Sequence, residues 1–177
     1  MSNNGNLLLV DENGTLTLPD SVTKIGEGAF ANVEGLKTII IPGTVKTIGK
    51  NAFSNNTTLE KVVMQEGVET IEGAAFYSCT NLKEIVLPES ITSIGKTVFC
   101  LCTYLKSIEI PSKVEKLDEM IFSQSGLQSI KFRGDKLKRI EREAFFLCKI
   151  SEFTVTKDVE FIDSTAFDHC TNLVNIK

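Results

Sequence analysis

Apolar positions recur along this chain with a nearly constant period. One unit runs from residue 68 to residue 88 and reads V-E-T-I-E-G-A-A-F-Y-S-C-T-N-L-K-E-I-V-L-P. Seven phenylalanines mark the period, with five steps of 23 residues and a last step of 22: Phe30, Phe53, Phe76, Phe99, Phe122, Phe145 and Phe167. A fixed period between 20 and 29 residues is typical of a solenoid, in which stacked units share a core that no single unit could form.

Each unit ends in the pattern L-x-x-I-x-I, as in Leu82, Ile85 and Leu87. The alternation predicts a short strand with one buried face. A proline follows four of these strands, and it ends the pairing because it has no N–H to donate. Upstream, a V-x-x-I pair such as Val68 and Ile71 is β-branched and too short for a helix, which predicts a second short strand or an extended turn. The A-F-x-x-C segment between them predicts a single helical or 3₁₀ turn.

The first residues suggest a cap. Asn13-Gly14 stands between the apolar runs Leu7–Val10 and Thr15–Leu18, and Asn-Gly at that place is a strong hairpin signal. We therefore expect a β-hairpin cap with a partial repeat over residues 1–21. Residues 22–177 then hold seven repeats in one continuous domain, an α/β-type repeat solenoid.

The repeated unit, x-L-P-x-S-[VI]-T-x-I-G-x-x-A-F-x-x-C-x-x-L-x-x-I, resembles the BspA-like subclass of leucine-rich repeats. The resemblance covers residues 15–177. It implies a right-handed leucine-rich-repeat superhelix with a parallel β-sheet on its concave face. It also implies a surface or secreted protein that takes part in adhesion and recognises host or partner proteins.

Charge and hydropathy restrict the classes of partner and the possible locations of the protein. The net charge is −4, which gives no reason to expect a nucleic acid as a partner. No apolar stretch reaches the roughly 18 residues of a membrane span, so no membrane insertion is expected. The first residues lack the basic and long apolar regions of a signal peptide. The chain is then cytosolic, exported by another route, or a piece of a longer protein, and an intracellular interaction scaffold of the same fold is the alternative function.

Nothing in the sequence points to catalysis or to a cofactor. There is no glycine-rich phosphate loop, no nucleophile elbow and no paired-carboxylate motif. Four cysteines lie three residues after the repeated phenylalanine, at a position that is valine, asparagine or serine in other repeats; they are Cys79, Cys102, Cys148 and Cys170. This favours a tight buried slot, with a Cys79–Cys102 disulfide as the alternative. Zinc is less favoured because Cys100-Leu101-Cys102 is not a zinc spacing, and His169 is expected at the surface.

The outward positions of the strands are the predicted binding site. Ile40, Val63 and Val86 should align into an apolar stripe beside rows of lysine and glutamate. The predicted concave protein-binding face consists of Lys37, Ile40, Lys61, Val63, Lys83, Glu84, Val86, Lys106, Glu109 and Lys131. Contiguous exposed apolar surface favours protein binding. The alternative is that these β-branched residues were chosen for strand propensity alone.

The last strand, residues 173–177, is followed by no polar capping repeat. An unpaired edge over an open core is a liability that proteins normally cover. We expect a fragment or a minimal chain, with a homodimer through the uncapped C-terminal edge as the alternative.

Overall fold

The computed structural model describes residues 10–177. The described residues form fifteen short strands, numbered β1 to β15 in chain order. The L-x-x-I-x-I segments give β1 (Thr15–Thr17), β3 (Thr38–Ile41), β5 (Lys61–Met64), β7 (Glu84–Val86), β9 (Ser107–Ile110), β11 (Ser129–Phe132), β13 (Glu152–Phe153) and β15 (Asn175–Ile176). The V-x-x-I segments give β2 (Lys24–Ile25), β4 (Thr47–Ile48), β6 (Thr70–Ile71), β8 (Ser93–Ile94), β10 (Lys116–Leu117), β12 (Arg139–Ile140) and β14 (Phe161–Ile162).

Every strand pairing is parallel and joins equivalent positions of successive repeats. Ile39 of β3 lies opposite Val62 of β5, and Val62 lies opposite Ile85 of β7. The odd-numbered strands form the main sheet and the even-numbered strands form a second sheet. The predicted parallel-strand solenoid of about seven turns is therefore confirmed.

The repeated phenylalanines form a continuous stack through the core. From Phe30 to Phe122 the centroids of neighbouring rings are 5.3 to 6.0 Å apart and the rings are within 8° of parallel. The rings from Phe53 to Phe145 are fully buried. The isoleucines and leucines of both sheets pack around this stack, so each repeat buries its apolar side chains mainly against its neighbours.

The helical turns predicted for A-F-x-x-C are not found, and the α/β class is not confirmed. The described residues contain no helix, and successive turns occupy these segments. In most repeats the residues two before and two after the phenylalanine have positive φ, as at Ala74 (59°) and Ser78 (57°) around Phe76. A right-handed helix cannot continue through a positive φ.

The turns instead bond to the next repeat. The N–H groups of Asn51, Phe53 and Asn55 donate to carbonyl oxygens 22 residues further on, at 2.8 to 3.1 Å. The N–H groups between them, those of Ala52 and Ser54, donate back three residues within the same turn. Every second residue thus joins two repeats, and the turns form a third column of hydrogen bonds beside the two sheets.

The predicted N-terminal hairpin lies only partly in the described region. Its turn is closed by a 2.9 Å bond from the Gly14 N–H to the Asp11 carbonyl, and its second arm is β1, which pairs in parallel with β3. The first arm, residues 7–9, lies outside the described residues.

Both sheets are interrupted near the middle of the chain, at successive strands. The main sheet is unpaired between β7 and β9, and the second sheet between β8 and β10. The turn column continues across this boundary, because the N–H of Phe99 donates to the carbonyl of Ile121 at 2.9 Å. The main sheet has another break, between β11 and β13, where the second sheet is continuous.

Candidate functional site

The outward side chains of β3, β5, β7, β9 and β11, with the one residue before each strand, form one surface. We call it the main-sheet face. It comprises Lys37, Thr38, Ile40, Glu60, Lys61, Val63, Lys83, Glu84, Val86, Lys106, Ser107, Glu109, Gln128, Ser129 and Lys131. The strands alternate between buried and more exposed residues, so these side chains point away from the core. All ten residues of the predicted face belong to it.

An apolar stripe crosses the N-terminal part of this face. Ile40 lies opposite Val63 and Val63 opposite Val86, in register. Ile40 and Val63 are half-buried, whereas Val86, at the interruption of the sheet, is 47% exposed. The predicted alignment of these three residues is therefore found, and its most accessible member is Val86.

The charged residues of the face form ion pairs between neighbouring strands. Lys61 Nζ lies 2.9 Å from Glu84 Oε1, and Lys83 Nζ lies 2.8 Å from Glu60 Oε2. Lys83 holds the pKa of the Glu60 carboxyl below its ordinary value by this hydrogen bond and by its charge, and Lys37 lowers it further. Glu60 is thus paired with Lys83 and lies in the electrostatic field of Lys37. These pairs are exposed, so each contributes little to stability.

A cleft of about 340 Å³ opens on the face where the sheets are interrupted. Its lining includes Val86, Glu109, Lys131 and Arg133. The buried side chain of Ile108 also lines it. We call it the central cleft. Its volume lies within the range of small-molecule and side-chain pockets.

Arg133 bridges the central cleft. Its Nη1 donates to the Leu87 carbonyl at 2.9 Å and to Glu89 at 3.1 Å, and its Nε donates to Glu109 at 3.1 Å. Leu87 follows β7 directly, so one side chain joins the two sides of the interruption. Lys131 approaches the other oxygen of Glu109 at 3.9 Å. Glu109, like Glu60, lies between two cations.

A second hydrogen-bonded group, formed by Glu89 and Ser112, adjoins Arg133. The hydroxyl and N–H of Ser112 donate to Glu89 at 2.7 and 3.2 Å. These two bonds, with a smaller effect of Arg133, hold the pKa of the Glu89 carboxyl below its ordinary value. The contacts therefore persist at neutral pH and are lost as the pH falls through that lowered pKa.

A second cleft of about 450 Å³ adjoins the first. Its lining includes Lys37, Glu60 and Lys61, and it shares Lys83 and Glu84 with the central cleft. The structure thus places seven of the ten predicted residues along two connected clefts. Ile40, Val63 and Lys106 belong to the same face but do not line either one. Sequence reasoning missed Arg133 and Glu89, which lie beyond the strand ends, where the repeat pattern gives no signal.

The cysteines belong to the core. All five are free, and the four in the repeated position are buried. Each donates its thiol to the carbonyl of the phenylalanine one repeat earlier, as Cys79 does to Phe53 at 3.2 Å and Cys148 to Phe122 at 3.0 Å. The predicted buried slot is therefore confirmed, and it also contains a polar contact. A thiol suits this place because it fills an apolar slot and supplies a weak donor.

Asn56 occupies the same slot and makes more bonds. It is 1% exposed, and its Nδ2 donates to the carbonyls of Phe30 at 2.7 Å and Phe53 at 2.8 Å. Its Oδ1 accepts from the N–H of Val33 at 2.7 Å. One side chain therefore satisfies three backbone groups of two repeats.

We expect the buried thiols to be unreactive in the folded protein. Burial raises the pKa of Cys79 and of Cys148 to about 12, so almost no thiolate is present at pH 8. Ellman's reagent should label all five cysteines in denaturant but act only slowly on the native protein, starting with Cys170, which is 9% exposed. Since these pKa values are raised on folding, the thiols' contribution to stability is complete below about pH 9 and falls as the pH rises towards 12. Rapid native labelling of Cys79 would contradict this.

Residues of other candidate chemistry are not brought together. His169 is exposed and its ring lies 5.2 Å from that of Phe146, while the neighbouring Cys170 donates its thiol to Phe145. Within residues 10–177 there is no cluster of histidine, cysteine and acidic residues that could hold a metal ion. The same part of the chain contains no helix long and apolar enough to cross a membrane.

Comparison with known structures supports the fold. The chain is similar to a leucine-rich cell surface protein of Faecalibacterium prausnitzii A2-165, with 30% identity and a TM-score of 0.85 over 92% of this chain and 47% of that one. A leucine-rich repeat protein of Bacteroides ovatus ATCC 8483 gives 25% identity and a TM-score of 0.78 over 92% and 45%. A Treponema pallidum leucine-rich repeat protein, at 22% identity and a TM-score of 0.63 over 94% and 70%, is similar in fold alone. This chain spans slightly less than half the length of the first two.

A search of curated proteins gave no match. A comparison with protein families matches the BspA type leucine-rich repeat region in six copies, over residues 12–128 and 93–177. These ranges together cover the repeats described above, and the match supports a repeat-based protein-interaction module. The chain therefore belongs to the BspA type leucine-rich repeat family.

Proposed function

We propose that this chain is a non-catalytic module that binds a partner protein through the main-sheet face, the concave face implied by the repeat type. The observation that carries the proposal is the stripe of Ile40, Val63 and Val86, which ends at an open cleft with Val86 47% exposed. Strand propensity alone accounts for β-branched residues at these positions. It gives no reason for a cleft beside them.

We also propose that the module acts at a cell surface, in adhesion or host interaction. Support comes from the Faecalibacterium prausnitzii protein, which is a cell surface protein and has 30% identity to this chain. The five free cysteines favour the second candidate, an intracellular scaffold that uses the same face. Labelling intact cells with an impermeant reagent separates the two, since a chain labelled only after lysis is not a surface protein.

The binding face can be tested with uncharged substitutions. Proteins captured by the domain from host and bacterial extracts are identified, purified and titrated against it. The double variant Val63→Gln and Val86→Gln should weaken the affinity at least tenfold, or about 1.4 kcal/mol, because it removes apolar contact at the centre of the face. Circular dichroism checks that the variant is folded.

The matched control is Tyr104→Gln. Tyr104 is 55% exposed and lies in a turn away from both clefts. Its substitution should leave the affinity unchanged. Equal affinities of the double variant and the parent protein would refute the proposed face.

A further inference from the structure

The main-sheet face is positively charged in a negatively charged chain. It carries five lysines and three glutamates, and Arg133 adds another cation at the central cleft. The whole chain has a net charge of −4, so the excess of acidic residues lies elsewhere on the surface. Such a separation of charge selects and orients partners more than it stabilises the fold.

The arrangement of the ion pairs leaves this charge available. Glu60 is bonded to Lys83 and lies in the electrostatic field of Lys37, and Glu109 is contacted by Arg133 and Lys131. Lys83 and Lys37 have one carboxylate between them and leave about one positive charge unneutralised. Arg133 is also bonded to Glu89, so at Glu109 it is Lys131, at 3.9 Å, that remains weakly paired. In the described part of the chain, neither Lys37 nor Lys106 has an ion pair within 4.0 Å.

The excess cations border the apolar centre. Paired strands of a sheet are about 4.8 Å apart, so Lys37 lies about two strands from Lys83. Lys131 lies two strands beyond Lys83, across the interruption of the sheet. Val86 and the central cleft lie among them. A bound peptide with an apolar side chain on Val86 could therefore place its neighbouring side chains beside these cations.

We infer that the main-sheet face recognises an acidic, extended segment of the partner protein, in which aspartate or glutamate alternates with apolar residues. The apolar side chains contact the stripe and the central cleft. The carboxylates bind the lysines that are not fully neutralised within the face. This inference deepens the proposed function and rests on it.

The test uses a library of random 12-residue peptides displayed on phage. Peptides selected on the domain should be enriched in aspartate and glutamate relative to the unselected library. A synthetic peptide of the selected sequence should bind about tenfold more weakly to the triple variant Lys37→Gln, Lys106→Gln and Lys131→Gln, because three exposed charge contacts are lost. Raising the salt concentration should weaken its binding to the parent protein more than to this variant.

The matched control removes the same charge elsewhere. Lys24, Lys50 and Lys96 are exposed, lie outside the face and have no carboxylate within 4.0 Å among the described residues. Their triple change to glutamine should leave the affinity for the peptide unchanged. An equal loss in both triple variants would mean that only net charge matters and would overturn the inference.

The remaining outcomes separate the inference from the proposed function. The selected peptides could lack an acidic excess and still lose their binding to the Val63→Gln and Val86→Gln variant. That result would overturn the inference of an acidic partner but would leave the proposed binding face standing. Selected peptides that bind this variant normally, or no selected peptides, would overturn both. Heparin fragments that bind as tightly as the peptide and displace it would identify the partner as any polyanion, and this also refutes an acidic protein segment.

Discussion

Phe76→Ala should destabilise the protein by about 3–5 kcal/mol, the usual cost of truncating a buried phenylalanine. Phe76 is fully buried, and its ring stacks 5.3 Å from that of Phe53 and 6.0 Å from that of Phe99. The variant loses the transfer free energy of the ring and its two aromatic contacts. It also leaves a cavity, which we expect to stay open because hydrogen bonds hold the turns of the neighbouring repeats in place. Urea unfolding followed by circular dichroism measures the loss.

Phe161→Ala is the matched control for this experiment. Phe161 is 36% exposed and belongs to no stack of rings, although the Arg139 guanidinium lies 4.2 Å from its centroid. We expect its truncation to cost about 1 kcal/mol, from one exposed cation–π contact and partial burial. Similar losses for Phe76 and Phe161 would show that the stack adds nothing to stability.

Asn56→Leu should destabilise the protein as much as Phe76→Ala does, but through lost hydrogen bonds. Leucine has the branching and the number of side-chain heavy atoms of asparagine but leaves the Val33 N–H and the Phe30 carbonyl without their partner. The Phe53 carbonyl retains the thiol of Cys79. Two partly buried unpaired groups at about 1–3 kcal/mol each, with a lost third bond, predict a loss of about 3–5 kcal/mol in the free energy of unfolding.

Two further variants test this explanation. Asn56→Cys should lose about half as much, because a thiol at this position donates to the preceding phenylalanine carbonyl, as Cys102 does to Phe76 at 3.3 Å. Asn81→Leu removes one exposed bond, from Nδ2 to the Thr57 carbonyl, and should cost less than about 1 kcal/mol. Equal stability of the Asn56→Leu and Asn56→Cys variants would mean that packing alone matters in the slot.

The strands and the core could be predicted because the types and spacing of the residues determine them. Alternation of apolar and polar residues specifies a strand with one buried face, and recurrence every 23 residues specifies which strands are neighbours. The register of Ile39, Val62 and Ile85 follows from these two facts alone. The predicted stripe could be derived in the same way.

The turns could not be predicted from the later repeats. Positive φ is expected for glycine and asparagine, and residues such as Asn51 and Asn55 around Phe53 carried that signal. At the same positions the later repeats have Thr97, Leu101 and Met120, whose types give no such indication. Hydrogen bonds to both neighbouring repeats impose the conformation there, so tertiary structure overrides local preference.

The site was only partly predictable for a related reason. Repetition identifies which residues face outward, but the central cleft lies where the main sheet is interrupted, between β7 and β9. Arg133 contacts Leu87 across 46 residues of sequence, and no spacing within one repeat could reveal that pair. Function in such a protein depends on where the repeats differ.

The interruption of the sheets has a mechanical consequence. Elsewhere in the N-terminal half, three columns of hydrogen bonds connect each repeat to the next, whereas at this boundary the strands are unpaired and the connections include the turn column, the Ser112–Glu89 bonds and the Arg133 bridge. Bending at this boundary would break no pairing between strands, so we expect it to cost less free energy than bending elsewhere in the N-terminal half. It would change the width of the central cleft, which is lined by residues from both sides of the boundary.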